Sequence, residues 1–469
     1  MRGKGTLLGS GAIYLISTIL IKGIVFLTMP IFTELMTVED FGIYNAYMSY
    51  EAVFSIIMTI GTAVVIRSAW IEYKDKFEVF EKSMNNVLFL LFGCICFVVL
   101  GIEILTDGMV SRTMGLNSEL LVCLLFHSSG YGLVITMTEK YRMEFKAIKV
   151  LLLSLSITIS SIFVSLFLIS FVNQKYVGRI WGAAFPYLIF WICYFIRYFF
   201  SKQKADKKIY KYVLALGIPA IPYILSENIM LQSDRVMIER IKGAYEAGIY
   251  SAIGTVASIL MIVGNAIDSV WAPWSYKKIN EGKLNEIKKI STYYYVVYSL
   301  ISIGFAMLAP ELTRIFTSKE DYWNYTWLIY PMIIMQFIYF SNKIPANLLL
   351  YYKKTKFSAT AITITALLNI VLNFIAFKKF GFVAAVFTSL ICMSTFSALQ
   401  FFLCRRFEIN LFYSSKLIFV TVLTVVIILL EYYFMTNILG RYVIGCIGVV
   451  FTSRICLKEI IKMKKKEKH

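Results

Sequence analysis

The sequence predicts an all-α polytopic membrane protein of about fourteen transmembrane helices, built as two six-helix bundles related by pseudo-two-fold symmetry and followed by two C-terminal helices. Three observations lead there. Of the 469 residues, 59% are hydrophobic and 16% charged, with a mean hydropathy of +0.71; soluble chains sit near about 45–50% apolar and about 25% charged. The apolar residues fall into runs of roughly 20, the length that crosses hydrocarbon. The basic residues alternate from loop to loop. This composition excludes a secreted enzyme, a soluble nucleotide-binding fold and a nucleic-acid binder.

In chain order, span one (8–33) carries Tyr14, Thr18 and Lys22 at i, i+4 and i+8 and ends near Pro30. Span two (42–66) sets Tyr44, Tyr47, Glu51, Ser55 and Thr59 at three-four spacing, which is one helix face. Span three (84–106) is apolar. Span four (119–138) aligns His127, Tyr131 and Thr138; His127 reads either as a cavity ligand or as a buried structural hydrogen-bonder. Spans five (150–172) and six (180–200) are apolar. Span seven (212–233) holds Tyr223 and Glu227, with Asp234 beyond, and is interrupted by Pro219 and Pro222. Span eight (247–271) aligns Ser251, Thr255, Ser258, Asn265 and Asp268 or Ser269. Span nine (291–310) precedes span ten (324–350), with Gln336, Tyr339, Lys343 and Asn347 on one face and Pro345 inside. Span eleven (357–377) aligns Thr365, Asn369 and Asn373. Spans twelve (381–403), thirteen (415–436) and fourteen (440–458) complete the set.

Ionisable groups inside a span are costly and face an interior cavity or a partner. The stripes on spans one, two, four, seven, eight, ten and eleven therefore point to one hydrated cavity between the halves, lined by Lys22, Glu51, Glu227 and Lys343. Single Ser, Thr and Asn residues serve equally well as interhelical glue. The prolines make spans one and seven candidate bending elements, or give them static kinks.

Lys and Arg number about 34 on one side (the N-terminus, 67–82, 140–149, 197–211, 277–289, 353–356, 405–416 and the tail) and about 11 on the other. Cytoplasmic loops carry such an excess. Both termini are thus expected in the cytoplasm, and the net charge of +19 reads as an orientation signal. The tail Lys462-Met463-Lys464-Lys465-Lys466-Glu467-Lys468 is expected on anionic headgroups. No loop is long enough for an aqueous catalytic domain, so the chain is not expected to be an enzyme, a membrane glycosyltransferase or a polymerase. Eight cysteines, mostly inside apolar runs, and two histidines make no zinc-type cluster. The first apolar run is long enough to span and no small-residue cleavage site follows it, so no cleavable signal peptide is expected.

A weak repeat runs through the chain. Glu39-Asp40-Phe41-Gly42-Ile43-Tyr44 echoes Tyr245-Glu246-Ala247-Gly248-Ile249-Tyr250 at an offset of 206, which Gly11 and Gly217 share. Gly178-Arg179-Ile180-Trp181-Gly182-Ala183-Ala184 echoes Gly381-Phe382-Val383-Ala384-Ala385. The expected division is 1–205, 206–408 and, with the two extra helices and basic tail, 409–469. Six spans per copy make the repeat parallel, with its axis along the membrane normal, an alternating-access design.

Pro30-Ile31-Phe32-Thr33-Glu34-Leu35-Met36 through Tyr44 resembles the first-loop signature of the bacterial polysaccharide transporters, the O-antigen and capsule-repeat flippases. Ser233-Asp234-Arg235-Val236-Met237-Ile238 with Glu246 to Tyr250 resembles the second-half signature. Leu368-Asn369-Ile370-Val371-Leu372-Asn373 with Lys379-Phe380-Gly381 resembles the span-eleven motif of the wider multidrug/oligosaccharidyl-lipid/polysaccharide (MOP) exporter superfamily, which includes the MATE multidrug antiporters and the peptidoglycan-precursor flippases. Glu34 stands where relatives often carry a basic residue, and Val383 where a second glycine is common.

The resemblance implies a MATE-like fold and a flippase for undecaprenyl-diphosphate-linked oligosaccharide in a bacterial cytoplasmic membrane. It implies a role in O-antigen or capsule synthesis, alongside a polysaccharide polymerase and chain-length proteins. Span one carries Lys22 and no acid, which suits an anionic diphosphate better than a cationic drug. Lys22, Lys343 and Arg235, with Tyr14, Tyr47, Tyr339 and Asn369, are the expected substrate contacts. Glu51, Glu227 and Asp268 are the expected groups for H+ or Na+ coupling, or counter-charges to Lys22, Lys343 or Arg235; no other cofactor is expected. The rival readings are an ion-coupled multidrug antiporter and a lipid II-type flippase of the same superfamily, a membrane glycosyltransferase or polymerase, and a non-transporting scaffold.

Overall fold

The computed structural model of the chain describes residues 4–201 and 204–466, with side chains described from 13 to 454 except 15. Gly11 and the basic tail, from which the repeat and headgroup expectations were drawn, lie outside the described side chains. The chain forms two compact units, 1–248 and 249–469. The first contains α1 (Lys4–Leu35), α2 (Val38–Thr59), α3 (Thr62–Glu72), α4 (Phe77–Leu105), α5 (Met109–Met114), α6 (Ser118–Met143), α7 (Ala147–Phe171), α8 (Lys175–Phe199), α9 (Lys207–Ile241) and the first turn of α10 (Ala244–Asn280). The second contains the rest of α10, then α11 (Leu284–Met307), α12 (Ala309–Phe316), α13 (Glu320–Trp323), α14 (Ile329–Ser341), α15 (Lys343–Tyr351), α16 (Thr355–Phe380), α17 (Ala384–Arg406), α18 (Ser414–Tyr433) and α19 (Ile438–Lys466).

The protein is an all-α, multi-pass membrane protein. Among the described residues, twelve helical segments are long and apolar enough to cross a membrane, α2 and α3 counting as one. The other two expected spans are the tenth, divided at Asn342 into α14 and α15, and the fourteenth, within α19.

The first repeat motif is a helix start. Thr37 Oγ1 accepts from the Asp40 amide at 3.0 Å, and the Asp40 carboxylate accepts from the Thr37 amide at 3.1 Å, a capping box. The second carboxylate oxygen of Asp40 accepts from the Tyr176 amide at 3.3 Å, which ties the start of α2 to the start of α8. The motif's glycine answers a different need. A methyl group at Gly42 would overlap the Ala244 carbonyl oxygen, and one at Gly248 would overlap the Val38 carbonyl oxygen. All four residues lie in the first unit, and both pairs obey the offset of 206. The contact is reciprocal, as a two-fold relation between two copies of one motif requires.

The second echo is also a packing motif. Gly178 and Gly182, four apart on α8, lie against α7: a Cβ at Gly178 would meet the Ile169 amide at 2.9 Å, and one at Gly182 would overlap Ser165. Small residues one turn apart let helix backbones approach where lipid supplies no hydrophobic drive.

Two sequence expectations change. The second span is not continuous to 66. It breaks at Ile60 and Gly61, both left-handed, with φ of 49° and 57°. The Ile60 carbonyl faces Gly217 of α9, where a Cβ would stand 2.5 Å from it, and Thr62 Oγ1 bonds Thr136 Oγ1 at 2.7 Å beyond the break. Conversely, Pro219 and Pro222 do not interrupt span seven, since α9 runs through both for 35 residues. Pro345 sits in the first turn of α15, where its missing N–H costs least.

In the second unit, α18 and α19 pack against each other and against α11. Their far ends are joined by a buried charge. Arg441 is fully buried, pairs with Glu311 and donates to the Met435 carbonyl at 2.9 Å. Glu431 is fully buried nearby, within electrostatic reach of Arg441.

Two stability predictions follow from this geometry. Gly42→Ala forces backbone apart and should cost about 1–3 kcal/mol, read as a lowered thermal transition of the detergent-solubilised protein. Gly93→Ala, with nothing within 4 Å, should not lower it. Arg441→Ala strands Glu311 and Glu431 without their cation and should cost about 3–5 kcal/mol. The Arg441→Met/Glu311→Gln/Glu431→Gln triple variant should recover most of that loss, and an unrecovered triple variant would show that Arg441 acts through packing alone.

Candidate functional site

Each unit gathers ionisable groups within its helices, and the two gatherings differ in chemistry. In the first unit, Lys22 lies in the spanning part of α1 (Ile16–Leu35) and is exposed. Among the described residues no carboxylate pairs with it. Tyr14, two turns earlier, donates to the Arg142 carbonyl of α6 at 3.5 Å.

A buried cluster forms where α2, α6 and α8 meet. Tyr47 is fully buried, its hydroxyl 3.2 Å from His127 Nδ1 and 3.5 Å from Cys123 Sγ. The His127 ring lies 5.1 Å from Tyr187, and Tyr187 lies 5.5 Å from Tyr131. Glu51, one turn along α2 from Tyr47, is 2% exposed and lies within electrostatic reach of all three tyrosines. Its Oε1 and His127 Nε2 have no hydrogen-bond partner among the described residues. His127 is thus a buried hydrogen-bonder on one nitrogen and open on the other. The three-four spacing on spans two and four placed Tyr47, Glu51, His127 and Tyr131 together correctly; Tyr187 was not among the residues it picked out.

Arg179 lies between the expected spans five and six, in the sequence Gly178 to Ala184. It stands instead on the second turn of α8, its guanidinium 3.8 Å from the Phe32 ring and 4.6 Å from the Tyr44 ring, donating to Ser165 Oγ at 2.6 Å. Phe32, Tyr44 and Arg179 are all residues of the repeat and loop motifs, which was the available signal. Glu227 and Arg235 are half-buried on α9, Glu227 within reach of Tyr223 and Arg235 donating to Gln232 at 3.2 Å.

In the second unit, Asp268 of α10 accepts from the Tyr294 hydroxyl of α11 at 3.0 Å and from Asn347 Nδ2 of α15 at 2.8 Å. Lys343 stands at the break between α14 and α15, its Nζ 5.1 Å from the Tyr339 ring centre and within electrostatic reach of Asp268. Aromatic rings surround this group. Trp271 lies 4.7 Å from Tyr294 and 5.3 Å from Trp274, and Tyr294 stacks on Phe340 at 4.8 Å. The sequence marked Asp268, Tyr339, Lys343 and Asn347 but missed Trp271, three residues beyond Asp268 and so on its face, and Tyr294, which arrives from another helix. Trp271, Tyr294, Tyr339 and Phe340 are themselves buried, so these rings pack around the lysine and the carboxylate and fix their positions.

Asn369 lies elsewhere. It is fully buried between α16 and α17, where its Nδ2 donates to Ser389 Oγ at 2.8 Å and its Oδ1 accepts from Asn373 at 3.3 Å. This is interhelical packing of the kind that stabilises membrane bundles.

The sequence profile of a family described as polysaccharide biosynthesis protein matches residues 7–279, and that of the MatE family matches 219–375. A Haemophilus influenzae protein described as Lsg locus putative protein 1 is 20% identical over 356 residues, 73% of this chain and 84% of that one. The fold is similar to that of the lipid II flippase MurJ in an inward closed conformation, with a TM-score of 0.66 at 15% identity, covering 97% of this chain and 98% of that one. It is also similar to a multidrug resistance MATE family transporter of the MOP superfamily in its inward-facing conformation, with a TM-score of 0.56 at 13% identity, covering 83% and 98%. With one profile spanning more than half of its length, the chain belongs to the polysaccharide biosynthesis protein family, and it shares the fold of the MurJ and MATE structures.

Proposed function

We propose that the protein is a flippase. It moves a polyprenyl-diphosphate-linked oligosaccharide repeat from the cytoplasmic to the outer leaflet of a bacterial membrane, for a cell-surface polysaccharide such as O-antigen or capsule. Both termini face the cytoplasm, and the halves 1–205 and 206–408 alternate access. The observation that carries this reading is Lys22, an exposed cation inside the first span with no acid paired to it among the described residues. A cation in that position is expensive unless an anion visits it, and a diphosphate is such an anion. Lys343, which stands beside Asp268, and more weakly Arg235 are the further candidate contacts for the anion. Tyr339, beside Lys343, is the candidate sugar contact. Tyr14 and Tyr47 are left as flanking positions.

The driving force suits an anion as well. Outward movement of about two negative charges through an inside-negative membrane releases about 4–5 kcal/mol per 100 mV. Proton coupling adds to this through Glu51, the buried carboxyl with an unpartnered oxygen; Glu227 and Asp268 are secondary candidates. Released repeats would pass to a polymerase and chain-length proteins.

Two transport experiments test this in liposomes loaded with a fluorescent polyprenyl-diphosphate oligosaccharide. Lys22→Ala should slow transbilayer movement by about tenfold or more, the value of a charge-assisted contact, with Lys22→Arg retaining part of the rate. Wild-type protein that moved no lipid-linked sugar under any gradient, yet exported a cationic dye, would replace this reading with a multidrug antiporter. In the same liposomes, Glu51→Gln should abolish the response to an imposed pH gradient while leaving the response to membrane potential. A retained pH-gradient response would move coupling away from Glu51.

A further inference from the structure

The second unit contains a groove that the transport reading does not use. It encloses about 680 Å³ between α11, α14, α17 and α18. Its floor hydroxyls are satisfied: Ser341 bonds Ser397 at 2.7 Å and Tyr295 bonds Thr421 at 2.8 Å. The floor therefore asks for no polar occupant. The rim is apolar and open, with Phe402, Ile418 and Val422 each more than half exposed. One charged side chain lines the groove, Arg405 in the last turn of α17, and no acid lines it. Among the described residues Arg405 has no carboxylate partner. Beside it α18 begins at Ser414 without a side-chain cap, so first-turn N–H groups stay available to an acceptor.

We propose that this groove is a binding site for an anionic phospholipid of the leaflet that meets the basic loops, with one acyl chain between α14, α17 and α18 and its phosphate on Arg405. Charge complementarity selects the headgroup. A phosphate with net negative charge meets an arginine, whereas the ammonium of a zwitterionic lipid finds no carboxylate in the lining. The apolar lining and open rim accept an acyl chain. The site is therefore one for a bulk membrane lipid, and it stands whatever molecule the protein transports.

The test is lipid retention by the purified full-length protein. Protein reconstituted in nanodiscs of equal phosphatidylglycerol and phosphatidylcholine is extracted into mild detergent, and the lipid still bound is measured by native mass spectrometry. Wild type should retain phosphatidylglycerol over phosphatidylcholine. Arg405→Gln should reduce that preference by about tenfold, the cost of one charge-assisted contact. Ala398→Trp fills the groove from an exposed position and should abolish retention of either lipid there, with an unchanged thermal transition in lipid-free detergent confirming the fold. Equal retention of the two lipids by wild type would overturn the proposal. So would undiminished phosphatidylglycerol in Ala398→Trp, or displacement of that lipid by stoichiometric polyprenyl phosphate, which would assign the groove to a longer chain.

Discussion

A charge inside hydrocarbon must find a partner within the protein, a water-filled space or a ligand. This constraint sorts the ionisable side chains of the chain into two sets. One set is paired: Arg67 with Glu139, Lys140 with Glu81 at 2.6 Å, Arg441 with Glu311. These hold helices to one another, and where they are buried their geometry has to be good. The other set has no opposite charge at hand among the described residues. Among the described residues Lys22 pairs with no acid, Arg179 rests on two rings and a serine, and Glu51 keeps an oxygen unbonded. A fold that pairs so many of its charges does not leave these open for stability, because an apolar residue in each place would serve better.

Helix association in the first unit uses close backbone approach as well as buried apolar clusters. Lipid tails are as apolar as leucine, so close packing and short polar links have to supply the difference. Gly182 against Ser165, Gly130 against the Tyr187 carbonyl and Gly132 against Thr59 are all sites where any side chain would collide. The Tyr187 contact matters for the site, since it sets that ring against His127 and Tyr131.

Much of this architecture is legible in the sequence, for identifiable reasons. Spans are read because hydrocarbon requires a continuous apolar run, and Tyr47, Glu51, His127 and Tyr131 because a cluster built along two helices leaves a spacing on each. What escaped depends on meetings between distant segments. Tyr294 reaches Asp268 from another helix, and no period in either announces it. The break at Ile60 falls on a β-branched residue with positive φ, a conformation that local preference opposes. Asn369 shows the reverse problem: a polar stripe residue looks the same in sequence whether it faces water or a neighbouring serine.

The repeat separates what symmetry preserves from what it does not. At the offset of 206, Gly42 matches Gly248 and Val38 matches Ala244, the four positions of the reciprocal backbone contact. At that offset Lys22 falls on Asn228, Tyr47 on Ile253, Glu51 on Ala257, and Asp268 on Thr62. The backbone contact constrains both copies at once, since a side chain on either glycine breaks the same interface. No such mutual constraint acts on the ionisable residues, and each copy carries its own. The first presents a lone lysine and a buried acid, and the second a lysine beside an acid among aromatic rings. Duplication thus fixes the backbone contact in both copies and leaves the chemistry of each copy free to differ.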